Sequence, residues 1–149
     1  MASNINLPAI EDSITSTGLD LNGGDDIRVA LLMTNTTADT EDNVATVSAY
    51  TDDDECDGAN YAAKTLASEA VVIDSGNNRV EFDFENLTWT ALGNGSRALQ
   101  GILIHKFVTS FALSLPIAFV EFSSNQNPGG SDFTVTLGAD GVLHFQQGA

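Results

Sequence analysis

The chain reads as a mainly β protein: an antiparallel β-sandwich or barrel of about eight strands with one short helix. Three observations lead there. Apolar and polar residues alternate with the two-residue period of a half-buried strand at 27–33, 80–84 and 133–137. Two runs, 99–107 and 115–122, are apolar on both faces and read as central strands, with Glu121 the only charge in the second. Turn-forming clusters such as Gly23-Gly24-Asp25, Gly93-Asn94-Gly95-Ser96 and Gly138-Ala139-Asp140-Gly141 separate these segments.

Taken in order, residues 1–24 are polar, with Ile5, Leu7, Ile10, Ile14, Leu19 and Leu21 in no sustained period. They read as an extended N-terminal arm with one short strand over 14–21, ahead of a single β domain over 25–149. Ile27, Val29, Leu31 and Met33 form the first strand of that domain. Thr40 followed by Glu41 and Asp42 resembles a capped helix start, with acids placed at the positive end of the helix dipole. Val44, Val47 and Tyr50 would be its inward stripe. Segments 62–66 and 70–73 read as strands parted by a turn at Ser68.

Val80, Phe82 and Phe84 then point inward on even positions, whereas Leu87 and Trp89 do so on odd ones. A strand cannot move its buried set across the pleat without a turn or bulge, which is expected at Glu85 and Asn86. Segment 78–122 holds the single Trp and most of the eight Phe, so it should supply most of the core. Phe133, Val135 and Leu137 face Leu143 and Phe145 across Gly138-Ala139-Asp140-Gly141. Asp-Gly tolerates the positive φ of a tight turn, so a terminal hairpin is expected.

At 149 residues the chain suits one domain with a real core. Its 21 acidic and 5 basic residues give a net charge of −16. That balance opposes direct binding to nucleic acid or an anionic membrane, since both need cationic side chains against phosphate. The opening residues lack the basic start and apolar core of a secretory signal. The apolar stretch 107–120 is interrupted by Ser110, Ser114 and Pro116 and falls short of the roughly 20 residues a spanning helix needs.

Candidates for chemistry are few. Asp53, Glu55, Asp57 and Gly58 imitate the first half of a calcium loop, but its twelfth position, where a bidentate Glu belongs, is Lys64. A solvated acidic loop without metal is the expectation. His105 and His144 are the only imidazoles; neither sits among ligands. Cys56 amid five acids should have a raised thiol pKa, the opposite of a reactive thiolate. No nucleophile elbow or triad is evident, so neither an enzyme nor a cofactor is expected. The Asn-X-Ser/Thr matches at Asn35, Asn86 and Asn94 are common by chance in such a composition. Trp89, flanked by Thr88 and Thr90, is assigned to the core rather than to a sugar site.

The motif order is more informative than any one motif. Asp25-Asp26-Ile27-Arg28-Val29-Ala30-Leu31-Leu32 is followed by Val47-Ser48-Ala49, by the segment 61–66, and by Phe82-Asp83-Phe84-Glu85-Asn86-Leu87-Thr88-Trp89-Thr90-Ala91-Leu92. Gly101-Ile102-Leu103-Ile104, Leu115-Pro116-Ile117-Ala118-Phe119-Val120-Glu121-Phe122, Asp132-Phe133-Thr134-Val135-Thr136-Leu137 and Gly141-Val142-Leu143 complete the series. From about Ile27 to Phe145 this order resembles a family of small structural proteins of tailed bacteriophages and prophages. The acidic loop at 52–57 and the apolar segment at 108–113 depart from it.

The resemblance implies a virion component with no catalytic residues to carry over. The favoured expectation is a capsid decoration or cement protein, made in a bacterial cytoplasm and seated on the outer capsid surface. It would bind the major capsid protein and self-associate as a dimer or trimer. Alternatives are a tail-tube or connector component, or a receptor- or carbohydrate-binding module of a tail fibre. The expected contact residues are Phe107, Val108, Phe111, Leu113 and Leu115, because a simple hairpin connection there would be polar. Ile5, Leu7 and Ile10 of the arm join them, since an arm can add to a neighbour's sheet edge.

Overall fold

The computed structural model describes residues 3–7, 9, 18–138 and 141–146. Ten strands are present among the described residues: β1 (Ser3–Ile5), β2 (Ile27–Met33), β3 (Lys64–Thr65), β4 (Ala70–Asp74), β5 (Arg79–Asp83), β6 (Leu87–Leu92), β7 (Leu99–Lys106), β8 (Leu115–Gln126), β9 (Ser131–Val135) and β10 (Leu143–Gln146). They form a five-stranded sheet in the order β1-β8-β7-β2-β3, a three-stranded sheet β10-β5-β4 and the pair β6-β9. All pairings are antiparallel, the mainly β architecture expected from the alternation.

At the centre of the five-stranded sheet β7 is buried on both faces from Leu99 to His105, which is why it is apolar on both at Ile102, Leu103 and Ile104. On one face Val29, Leu31, Ile102, Ile104 and Val120 pack against Phe82, Phe84, Leu87, Trp89, Val135 and Leu143 from the two smaller sheets. On the other face Ala30, Leu32, Leu103 and Phe119 are covered by Ala38, Val44, Val47 and Tyr50. Trp89 is fully buried, and its indole N–H donates to Ala62 O at 2.8 Å, as its core assignment required.

The parity change near Glu85 is a change of sheet, since β5 and β6 belong to different ones. Ser68 has φ +57°, consistent with the expected turn.

Four expectations are corrected. The segment after Thr40 forms no helix beyond the 3₁₀ turn Val47–Ala49. Glu41 instead accepts hydrogen bonds from Thr37 Oγ1 at 2.7 Å and Thr51 N at 2.8 Å, tying the segment across rather than along itself. Val44, Val47 and Tyr50 are nevertheless buried as proposed. The terminal hairpin does not form: β9 pairs with β6, setting Phe133 opposite Trp89 and Val135 opposite Leu87, and β10 pairs with β5, setting Leu143 opposite Phe82. Val80 is exposed rather than core. Of the strand expected over 14–21, residues 14–17 lie outside the described residues, and Gly18, Leu19 and Asp20 carry no strand.

Candidate docking surfaces

The β7–β8 connection carries five of the expected contact residues, and the structure divides them. Phe107 lies under the Arg28 guanidinium, 3.5 Å from its ring centroid, and its N–H donates to Asp26 O. Asp26 in turn accepts two hydrogen bonds from Arg28, which hold its carboxyl below the usual range. Phe111 sets its ring edge-on to His105 at 5.2 Å, and Leu115 packs on the main core. These three are committed to the chain's own fold, contrary to the expectation of free contacts. Val108 and Leu113 remain 56% and 55% exposed.

The turn between them is closed by Ser114 Oγ donating to Ser110 O at 2.8 Å. It is also tied to the neighbouring segment, with Ser48 N donating to Ala112 O and Val47 N to Ser114 O.

The N-terminal arm adds to this chain's own sheet rather than to a neighbour's. Ser3, Asn4 and Ile5 pair with Val120, Phe119 and Ala118. The buried Asn6 side chain donates to Val44 O at 2.8 Å and Pro116 O at 2.9 Å and accepts from Val44 N at 3.2 Å. Leu7, which is exposed, follows directly, its N–H donating to Asp42 O. Ile10 and the side chain of Ile5 lie outside the described residues. Segment 42–48 is thus hydrogen-bonded to the arm on one side and to residues 112–114 on the other. This brings exposed Leu7 and Leu113 to one end of the five-stranded sheet.

The acidic loop is only partly solvated, contrary to expectation. Residues 54–56 run beside β2, with Met33 N donating to Asp54 O and Cys56 N to Leu31 O. That pairing turns Asp54 and Cys56 inward. Arg97 makes two hydrogen bonds to Asp54, Asn35 N adds a third at 2.7 Å, and together they lower its pKa, the Arg97 bond foremost. Burial raises the carboxyl of Glu55, which accepts from Tyr61 OH at 2.8 Å. The Cys56 thiol is raised as expected, with burial the leading cause and the neighbouring acids secondary. Among the described residues no group of three or more His, Cys, Asp or Glu is placed to hold a metal ion. No helix among them is long and apolar enough to cross a membrane.

His105 is fully buried, which pushes its imidazole down to about 4, and its Nδ1 has no hydrogen-bond partner. His144 is exposed on β10.

One surface escaped sequence reasoning. In the three-stranded sheet Val71, Phe82 and Leu143 stand in one cross-strand row, and Ile73, Val80 and Phe145 in the next row on the same face. Phe82 and Leu143 are buried, whereas Ile73, Val80 and Phe145 are 77%, 37% and 52% exposed. The apolar face therefore runs past the body it covers. Its signal in the sequence is Val71-Val72-Ile73, three successive apolar residues that must show apolar surface on both faces of one strand.

Fold and surfaces together define a small acidic antiparallel β protein whose distinctive features are exposed apolar surfaces. No family model matches the chain, and no curated protein or solved structure is similar to it.

Proposed function

We propose that this chain is a non-enzymatic virion structural protein, a capsid decoration or cement protein that binds a major capsid protein lattice from outside. The observation that carries this reading is the joining of the arm and the β7–β8 connection through Asn6 and segment 42–48, which sets exposed Leu7 and Leu113 at one end of a rigid sheet. A protein that stiffens a lattice needs such a rim on a compact body. Its net charge of −16 suits a surface turned away from packaged DNA. The resemblance read from the motif order, to small structural proteins of tailed phages, agrees with this reading.

The test is an add-back assay on phage heads lacking this protein, using Val108→Asp/Leu113→Asp. Both residues are exposed, so the variant should fold and melt as wild type does. Wild type should saturate the heads and raise their survival on heating, and the folded variant should do neither. Saturation by the variant would remove this rim as the contact. Wild-type binding confined to tails or to sugars would overturn the cement assignment in favour of the tail-tube or receptor-binding alternatives.

A further inference from the structure

We infer that β4 is a self-pairing edge, at which a second copy of this chain adds antiparallel across a two-fold axis to make one six-stranded sheet. The inference is independent of the proposed capsid role.

β4 ends its sheet, with β5 on one side and no strand on the other among the described residues. Val71 N–H points to that open side, where it donates to Asn22 Oδ1 at 3.2 Å. Main-chain groups alternate along a strand, so the N–H and C=O of Ile73 face the same way. An exposed apolar edge of this kind is a template for another strand. Neighbouring apolar side chains normally accompany pairing, and here they are already in place.

The second copy is selected by register. Centring the axis on Val72 sets Val71 opposite Ile73 of the second copy, a pair that exchanges two main-chain hydrogen bonds, and its symmetry mate exchanges two more. Asn22 is then replaced by a main-chain carbonyl. The exposed row Phe145, Val80, Ile73 continues into Val71, Phe82 and Leu143 of the second copy. The row left uncovered in one chain thus runs on through half-exposed Val71 of the other to its buried Phe82 and Leu143. Charges also fit: Asp74 falls opposite Ala70, Glu69 opposite Ser75, and no acid faces an acid. Asp74 is already engaged by Arg79, with Nε to Oδ2 at 3.1 Å.

The chain's net charge makes a distinctive prediction. Two strongly acidic chains repel, and the Debye length shrinks from about 10 Å at 0.1 M salt to about 3 Å at 1 M. Self-association should therefore tighten as salt rises, whereas binding to a basic partner would loosen.

The experiment is sedimentation of the full chain over a concentration series at low and high salt, with two variants. Wild type should form dimers whose Kd falls with salt. Ile73→Lys, at an exposed position, should keep the wild-type melting temperature and raise Kd at least about tenfold. Val72→Cys should form a disulfide-linked dimer under mild oxidation, since Val72 faces its own copy at the axis, while wild type, whose Cys56 is buried, should not. A monomer under all conditions, an unchanged Kd in Ile73→Lys, or failure of Val72→Cys to cross-link would each overturn the inference.

Discussion

Arg97 and Asp54 form a two-pronged ion pair in which the carboxylate is buried and the guanidinium is partly open to water. The pair anchors the acidic loop to the turn that precedes β7. Arg97→Ala leaves the buried Asp54 carboxylate without its cation and should destabilise the chain, less than breaking a fully buried pair would because solvent screens the Arg side. Asp54 has a depressed pKa, so its contribution is present above the ordinary carboxylate pKa of about 4 and is lost as pH falls through the lower folded value. Urea denaturation from neutral to acid pH should show that loss in wild type, and a shallower acid limb in Arg97→Ala.

Gly101 leaves room for the Phe119 ring. A β-carbon there would stand 2.7 Å from Phe119 Cζ and 2.5 Å from Val120 O. Gly101→Ala should destabilise by about 1–3 kcal/mol through overpacking. Adding Phe119→Leu should recover part of that loss, a non-additivity readable in a double-mutant cycle. Simple additivity would mean that the ring is not the obstacle.

His105 sets a second pH window. Its folded pKa of about 4 lies below the ordinary 6.5, so the unfolded chain takes up a proton that the folded chain refuses. Burial is the main cause; the Leu103 backbone opposes it most, Arg28 lowers the value further and Asp26 raises it slightly. Stability should fall as pH drops from about 6.5 to 4, by roughly 3 kcal/mol in all, and level off below. The difference profile between wild type and His105→Leu should isolate this slope, and a flat difference would show that the imidazole does not carry it.

Trp89 combines bulk with one polar anchor, the 2.8 Å bond to Ala62 O. Trp89→Ala should cost about 3–5 kcal/mol. Trp89→Phe keeps most of the bulk, leaves the carbonyl unpaired, and should cost about 1–3 kcal/mol. Melting within a degree or two of wild type for the alanine variant would place the indole outside the core.

Asn6 is the clasp of the arm. Asn6→Ala removes three hydrogen bonds at a buried site and should release the arm locally, for about 1–3 kcal/mol. Hydrogen exchange should accelerate at Asn6 and Leu7 while β7 stays protected.

Much of the fold was legible because burial on a strand writes itself as period two, and burial on both faces as an unbroken apolar run. Those signals located β2, β5, β6, β7 and β8 and put Trp89 in the core. Partner choice left no such mark: the alternation of Phe133 and Val135 looks the same whether the strand pairs with Leu143 or, as it does, with Leu87 and Trp89. Helix signals at Thr40 and Glu41 were local, and Thr51, ten residues on, outbid them. The candidate contact residues were legible only as apolar side chains. Separating Leu113 from Phe111 needed the position of His105, and Ile73 was read only as part of a strand because nothing in a sequence says where a sheet outgrows its body.

The pairing of β1 with β8 also constrains assembly in time. The strand at Ser3–Ile5 closes its ladder only on residues Ala118 to Val120, and β5 and β6 likewise wait for β10 and β9. Loop closure over such separations makes folding slow and late. During synthesis the earliest described strand therefore leaves the ribosome long before its partner exists. Until Val120 has emerged the nascent chain carries open edges on both sides of its future core, so a chaperone that shields β-strands has its longest task on this end of the molecule.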